Sequence, residues 1–148
     1  MRLPPFTAIA ACDPNGVIGQ AGGLPWHGPE DLKHFRNTTL SHVLVMGHRT
    51  FREFDGRTNI LFTNFEELEQ KYALHQEWWD RENYVIGGAK TFISFFEKQL
   101  IQYALITHMK RSYEGDTILP LQLLDGWPGE LLRETEEFRL VKYRCPNG

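Results

Sequence analysis

Apolar residues fall along this chain in short runs bounded by glycine- or proline-containing turns, and these runs alternate with stretches of helical periodicity. Phe6 to Cys12, with the small residues Ala8, Ala10 and Ala11, reads as a buried strand whose alanines leave room for a close neighbour. Asp13-Pro14-Asn15-Gly16 ends it as a turn. From Asn15 to Trp26 the chain carries Gly16, Gly19, Gly22, Gly23 and Pro25, too much glycine for regular structure, and this stretch reads as a long loop of the kind that serves as a lid. Gly28-Pro29-Glu30-Asp31 then starts a helix, with proline at the first helical position and two carboxylates at the positive end of the dipole, that runs to about Leu40.

His42 to Met46 is a second apolar strand, followed by Gly47-His48-Arg49-Thr50, which turns into a short helix through Phe54. The pattern repeats as a strand over Thr58 to Thr63, a helix from Phe65 to about Gln76, a strand over Tyr84 to Ile86, the pair Gly87-Gly88, and a helix over Lys90 to Leu100. Beyond it, Gln102 to Met109 and the alternating Phe138 to Arg144 read as strands with no helix between them. The expected fold class is therefore α/β, one domain over residues 1–148 with a mixed, mostly parallel central sheet flanked by helices and an antiparallel C-terminal edge.

Composition narrows the function more than the fold. Sixteen Lys plus Arg against nineteen Asp plus Glu leave a net charge of −3, which provides no broad basic surface, so a nucleic-acid partner is not expected. No apolar stretch approaches the roughly 20 residues that span a bilayer, and the N-terminal residues do not form a signal-peptide pattern, so the chain is expected to be cytoplasmic and away from membranes. A monomer is expected. The two cysteines, Cys12 and Cys145, lie far apart, and the six histidines show no HExxH or paired spacing, so no metal is expected.

Three segments carry candidate chemistry. Asp31 lies one helical turn from Phe35, beside Leu32, and follows Leu24-Pro25-Trp26; it reads either as a first-turn carboxylate on the helix dipole or as a buried acid that accepts paired N–H groups from a flat heterocycle. Gly47-His48-Arg49-Thr50 is either an ordinary charged turn or an anion site at a helix N-terminus. Ile86-Gly87-Gly88-Ala89-Lys90-Thr91 ends a strand in two glycines that would let a diphosphate reach backbone N–H groups, although it is neither a GxGxxG fingerprint nor a Walker A loop.

The order of these motifs resembles dihydrofolate reductase. It runs Ala10-Ala11, Gly16-Val17-Ile18-Gly19, Leu24-Pro25-Trp26, Asp31-Leu32-Phe35, Val45-Met46-Gly47, Arg57, Ile86-Gly87-Gly88, Thr107-His108 and Glu114-Gly115-Asp116-Thr117, covering about Phe6 to Pro120. The resemblance implies that NADPH delivers hydride to the pterin ring of 7,8-dihydrofolate and that antifolate-like molecules bind the same slot. It assigns Asp31, Trp26 and Thr107 to catalysis: Asp31 bonds the pterin, Thr107 supports that carboxylate, and Trp26 orders a nearby water. Ile9, Leu32, Phe35, Phe54 and Ile86 would form the slot for the rings, and Arg57 would grip the glutamate α-carboxylate. For NADPH, Ala11, Ile18 and Thr50 would face the nicotinamide half. Gly87, Gly88, Ala89, Lys90 and Thr91 would meet the diphosphate, and His48, Arg49 and Asn64 the 2′-phosphate. Gly19, Gly47 and Thr63 complete the implied cofactor set.

The chain also departs from that pattern. The segment between Thr50 and Arg57 is short, Ala89 stands in place of a third glycine, Phe92 in place of a tyrosine, and Leu24 where many relatives have methionine. Two other readings share the fold: a reductase of another heterocycle, such as the riboflavin-pathway pyrimidine, against which Asp31 after Pro25-Trp26 argues, and a non-catalytic pterin- or nucleotide-binding module.

Overall fold

A computed structural model describes residues 2–19 and 29–146, with side chains for 2–18 and 33–146. Seven strands make the main sheet in the order β4-β3-β5-β1-β6-β9-β8. They are β1 (Phe6–Cys12), β3 (Val43–Met46), β4 (Thr58–Leu61), β5 (Asn83–Val85), β6 (Ile101–Met109), β8 (Gly129–Glu134) and β9 (Phe138–Arg144). Neighbours from β4 to β6 pair in parallel, while β9 runs antiparallel to β6 and β8 antiparallel to β9. This is the mixed, mostly parallel sheet with an antiparallel C-terminal edge that the sequence pattern predicts. β1 is central, and its continuous apolar run fits a strand covered on both faces.

Three α-helices are present among the described residues: α1 (Pro29–Thr39), α2 (Phe65–Leu74) and α3 (Ala89–Glu97). Asn64 caps α2 by accepting the Glu67 N–H at 2.8 Å. Packed on one side of the sheet is a large cluster built on Phe6, Val43, Val45, Tyr72, Val85, Phe95 and Ile106. Phe6 and Phe95 meet edge to face with ring centres 5.0 Å apart, and the buried Tyr72 hydroxyl donates to Asn83 Oδ1 at 2.7 Å. A second cluster, Ile9, Leu44, Met46 and Tyr84, gathers Phe35, Phe51, Phe54, Ile86 and Leu105 around it.

Two local expectations are corrected. After Gly47 there is a single turn, its carbonyl accepting the N–H groups of Thr50 and Phe51 at 3.1 and 2.9 Å, and no helix through Phe54. The side chain of Asn59 intervenes: its Oδ1 accepts the Phe54 N–H at 3.2 Å and its Nδ2 donates to the Phe54 carbonyl at 3.0 Å, tying Phe54 to β4 instead of to a helical ladder. Within the stretch expected to be irregular from Asn15, Val17–Gly19 forms β2, paired antiparallel with β7 (Thr117–Ile118). A partner strand a hundred residues away supplies the hydrogen bonds that local glycine content disfavours. The rest of the predicted loop, including Leu24, Pro25 and Trp26, lies outside the described residues.

Candidate active site

The parallel strands all point their carboxyl ends to one edge of the sheet, and the loops that leave them build the candidate site there. Gly47, just after β3, donates its N–H to the Gly87 carbonyl at 2.8 Å, and Ile86 donates to Val45 at 3.1 Å, so the turns after β3 and β5 are joined side by side. The contact depends on glycine. A β-carbon at position 47 would lie 2.5 Å from Thr91 Oγ1, and one at position 88 would lie 3.4 Å from Thr50 Oγ1. Gly87 has φ +127° and the Gly87-Gly88 peptide is cis. Gly47, Thr50, Gly87, Gly88 and Thr91, separated in sequence, thus form one small cradle.

Gly88 is the N-cap of α3 and no side chain caps that end, which leaves first-turn backbone N–H groups free of a side-chain partner. Ala89 is half-buried, Lys90 exposed and Thr91 buried. This end fits an anion such as a diphosphate, because the α3 dipole favours negative charge and no side chain caps the first-turn N–H groups. His48 and Arg49 stand exposed on the neighbouring turn after β3. Thr63 and Asn64 follow β4, whose Leu61 pairs with Met46, so the two polar pairs share one corner. There Thr63 and Asn64 also serve α2: the Thr63 hydroxyl donates to Glu67 Oε2 at 2.6 Å while Asn64 caps the helix. That bond from Thr63, ahead of the effect of Lys71, holds the exposed Glu67 carboxyl below its usual range despite a small opposing desolvation.

On the other side of Ile86 lies the apolar group. Ile9 from β1, Phe35 from α1, Phe54 and Ile86 belong to one cluster, with the Phe35 and Phe54 rings 5.5 Å apart. Leu32 and Asp31 lie on the first turn of α1, but their side chains are outside the described residues. Thr107 is buried on β6, in register with Ala11 on β1 and with Leu140 on β9. Arg57 anchors the far end. Its Nε donates to Thr39 Oγ1 at 3.1 Å and Nη2 to the Arg36 carbonyl at 2.7 Å, and Nη1 donates to the Asp55 carbonyl. A guanidinium has five N–H donors, so this fork is held rigid with donors left over. Gly19 ends β2, and Ile18 before it is half-buried.

Comparison with known proteins bears on this arrangement. The model of the family described as dihydrofolate reductase matches residues 5–137. The chain belongs to the dihydrofolate reductase family. It is similar to dihydrofolate reductase HdrB of Haloferax volcanii, with 33% identity over 161 residues, spanning 93% of this chain and 82% of that protein. It is also similar to the dihydrofolate reductase of Lactococcus lactis, with 32% identity and 76% of each chain covered. Among solved structures, a dihydrofolate reductase from Enterococcus faecalis complexed with NADP(H) and RAB-propyl superposes with a TM-score of 0.76 at 26% identity, covering 95% of both chains.

For a dihydrofolate reductase fold, two residues of this region escaped the sequence reading. Phe51 joins the apolar cluster, and the only sequence signal for it is its spacing of three from Phe54. Asp13, read as part of a turn, is fully buried and accepts backbone N–H groups from Asn15, Val17 and Tyr113. Burial pushes its carboxyl up, but the bonds from Tyr113, Val17, Asn15 and Gly16 outweigh that and hold it below the usual carboxylate range. Beside it, burial and the Asp13 charge push the Cys12 thiol up to about 12, which makes that sulfur a packing group. Asp116, by contrast, is exposed and accepts the hydroxyl of its neighbour Thr117 at 3.0 Å. Among the described residues no His, Cys, Asp and Glu cluster could hold a metal, and no helix is long and apolar enough to cross a membrane.

Proposed function

We propose that this chain catalyses the NADPH-dependent reduction of 7,8-dihydrofolate to 5,6,7,8-tetrahydrofolate. The observation that carries the reading is the adjacency of Ile86 and Gly87: the first packs in the apolar cluster with Ile9, Phe35 and Phe54, and the second opens the glycine cradle on α3, so a slot for flat rings and a site for a cofactor's diphosphate adjoin across one peptide unit. NADPH, when bound, supplies the hydride. The chain's own residues orient and polarise.

In this reading the cradle of Gly47, Gly87, Gly88, Ala89, Lys90 and Thr91 takes the diphosphate. Thr50, Ala11, Ile18 and Gly19 border the nicotinamide half, and His48, Arg49, Thr63 and Asn64 surround the 2′-phosphate. Cationic side chains at the 2′ position favour NADPH over NADH, which an acidic residue would instead suit. The slot of Ile9, Leu32, Phe35, Phe54 and Ile86, to which Phe51 adds an aromatic wall, excludes water from the pterin and aminobenzoyl rings. Asp31 accepts N–H groups from the pterin and raises the basicity of the ring nitrogen that gains a proton, with Thr107 supporting it and Trp26 ordering the water that delivers the proton. Arg57 meets the glutamate α-carboxylate with its spare donors. The same slot takes antifolate-like molecules, and the chain works as a cytoplasmic, monomeric single domain in one-carbon and thymidylate metabolism.

The test is loss of NADPH absorbance on mixing the purified chain with dihydrofolate, beside reactions with NADH and with no pterin. Rapid oxidation only in the first is the expected result. Tight NADPH binding without turnover would overturn it in favour of a same-fold reductase of another heterocycle.

A further inference from the structure

Asp13 is the most heavily bonded buried carboxylate outside the residues assigned above. Its Oδ1 accepts the N–H groups of Asn15 at 2.8 Å and Val17 at 2.9 Å, and its Oδ2 accepts that of Tyr113 at 2.8 Å, a hundred residues further along. One oxygen suffices for a local turn. The second reaches from the end of β1 to the segment that leads into β7, and it does so with no exposure to solvent.

Backbone bonds tighten the same junction. Asp13 donates its N–H to the Val17 carbonyl at 3.0 Å, Gly16 donates to Asp13 at 3.0 Å, and Leu119 donates to Gly16 at 2.8 Å. Gly16 has φ +86° and a β-carbon there would lie 2.4 Å from the Leu119 carbonyl oxygen, so only glycine permits this approach. β2 and β7 continue the attachment through Val17 and Ile118. The knot sits, along the chain, between Ala11 and Ile18, two of the residues that border the nicotinamide half of the proposed cofactor site.

We propose that Asp13 is a positioning residue for hydride transfer: by gathering the N–H groups of Asn15, Val17 and Tyr113 on one carboxylate, it fixes β2, and with it Ile18, relative to the end of β1 beside the nicotinamide half of the proposed site. The inference rests on the function proposed above. A carboxylate is required because both of its oxygens accept, whereas an asparagine in the same place sets an N–H group against an N–H group on one of the two arms. Loss of one arm lets β2 shift, and displacements near 1 Å at a reacting pair cost up to about a hundredfold in rate.

The experiment is single-turnover hydride transfer at saturating NADPH and dihydrofolate, for the unaltered chain, for Asp13→Asn, and for a chain in which Tyr113 is replaced by its α-hydroxy analogue, so that an ester without the N–H follows residue 112 and every side chain is retained. Both variants are expected to slow the hydride step by roughly tenfold or more, with dihydrofolate dissociation unchanged. A lowered melting temperature with an unchanged hydride step in both variants would overturn the proposal and leave Asp13 a purely structural residue. If the unaltered chain itself fails to oxidise NADPH with dihydrofolate, the functional reading falls and this inference falls with it, an outcome distinct from variants that match an active parent.

Discussion

Gly47 and Thr91 stand so close that the hydrogen of the glycine occupies the space beside the threonine hydroxyl, where a β-carbon would lie 2.5 Å from Oγ1. Thr91 is buried on the first turn of α3, and Gly47 is hydrogen-bonded to Gly87, so neither side can yield without moving the cradle. Gly47→Ala is expected to destabilise the fold by about 1–3 kcal/mol, the usual cost of overpacking, and to weaken NADPH severalfold while leaving dihydrofolate affinity alone. Thermal unfolding and separate fluorescence titrations of the two ligands check this.

In the proposed mechanism Asp31 supplies the charge that raises pterin basicity, and Asp31→Asn removes that charge without removing the side chain's volume. Turnover at neutral pH is expected to fall by about 100-fold or more, the scale of general acid–base assistance, with NADPH binding preserved. The loss shrinks at low pH, where dihydrofolate arrives already protonated. A pH profile of kcat/KM for both chains reads the outcome, and equal rates at neutral pH would remove Asp31 from the mechanism.

Arg57 is held by Thr39, Asp55 and Arg36, and that anchorage fixes the direction of its remaining donors. A lysine has no fork with which to keep both the anchorage and a carboxylate. Arg57→Lys is therefore expected to raise the KM for dihydrofolate by roughly tenfold, in line with loss of a charge-assisted bond worth about 1.5–3 kcal/mol. The KM for NADPH stays the same. With a dihydropterin that lacks the glutamate, the two enzymes should be equal, which isolates the carboxylate contact.

His108 lies between β1 and β9, its Nδ1 3.9 Å from Cys12 Sγ and its Nε2 2.8 Å from the Tyr143 hydroxyl. Burial, and then the Arg139 charge, hold its imidazole below the ordinary value of 6.5. The folded chain therefore prefers neutral His108, and below 6.5 the unfolded chain binds the extra proton. This contribution to stability is complete above that value and is lost as pH falls through the depressed folded one. Urea unfolding at a series of pH values from about 7 to about 5 should show a decline in the native chain that is reduced in His108→Gln. Parallel declines in the two chains would assign the effect to other groups.

Much of the order of elements was legible in the residues themselves. Apolar runs such as Phe6 to Cys12 and His42 to Met46 announced buried strands, found at Phe6–Cys12 and Val43–Met46, because a strand covered on both faces has no polar side to display. One helix start was marked by a residue whose preference is local, Pro29 at the first helical position. The motif order from Ala10 to Thr117 carried the resemblance to the family, because an ordered set of short motifs is far more specific than any one of them.

What depended on contacts between distant segments was not legible. Phe54 leaves the helical path because the side chain of Asn59 captures its backbone, and Val17–Gly19 becomes a strand because Thr117–Ile118 lies beside it. Likewise Asp13 looks in sequence like any turn aspartate, and only the arrival of the Tyr113 N–H, a hundred residues on, turns it into the knot between β1, β2 and the segment before β7. The sequence by itself determined the periodicities, the first-turn residues of α1 and the residue types, which are governed by each residue's own conformational preferences and near neighbours. Tertiary structure alone decided which backbone groups met, because a hydrogen bond to a remote partner can outweigh those preferences and leaves no trace in the local pattern.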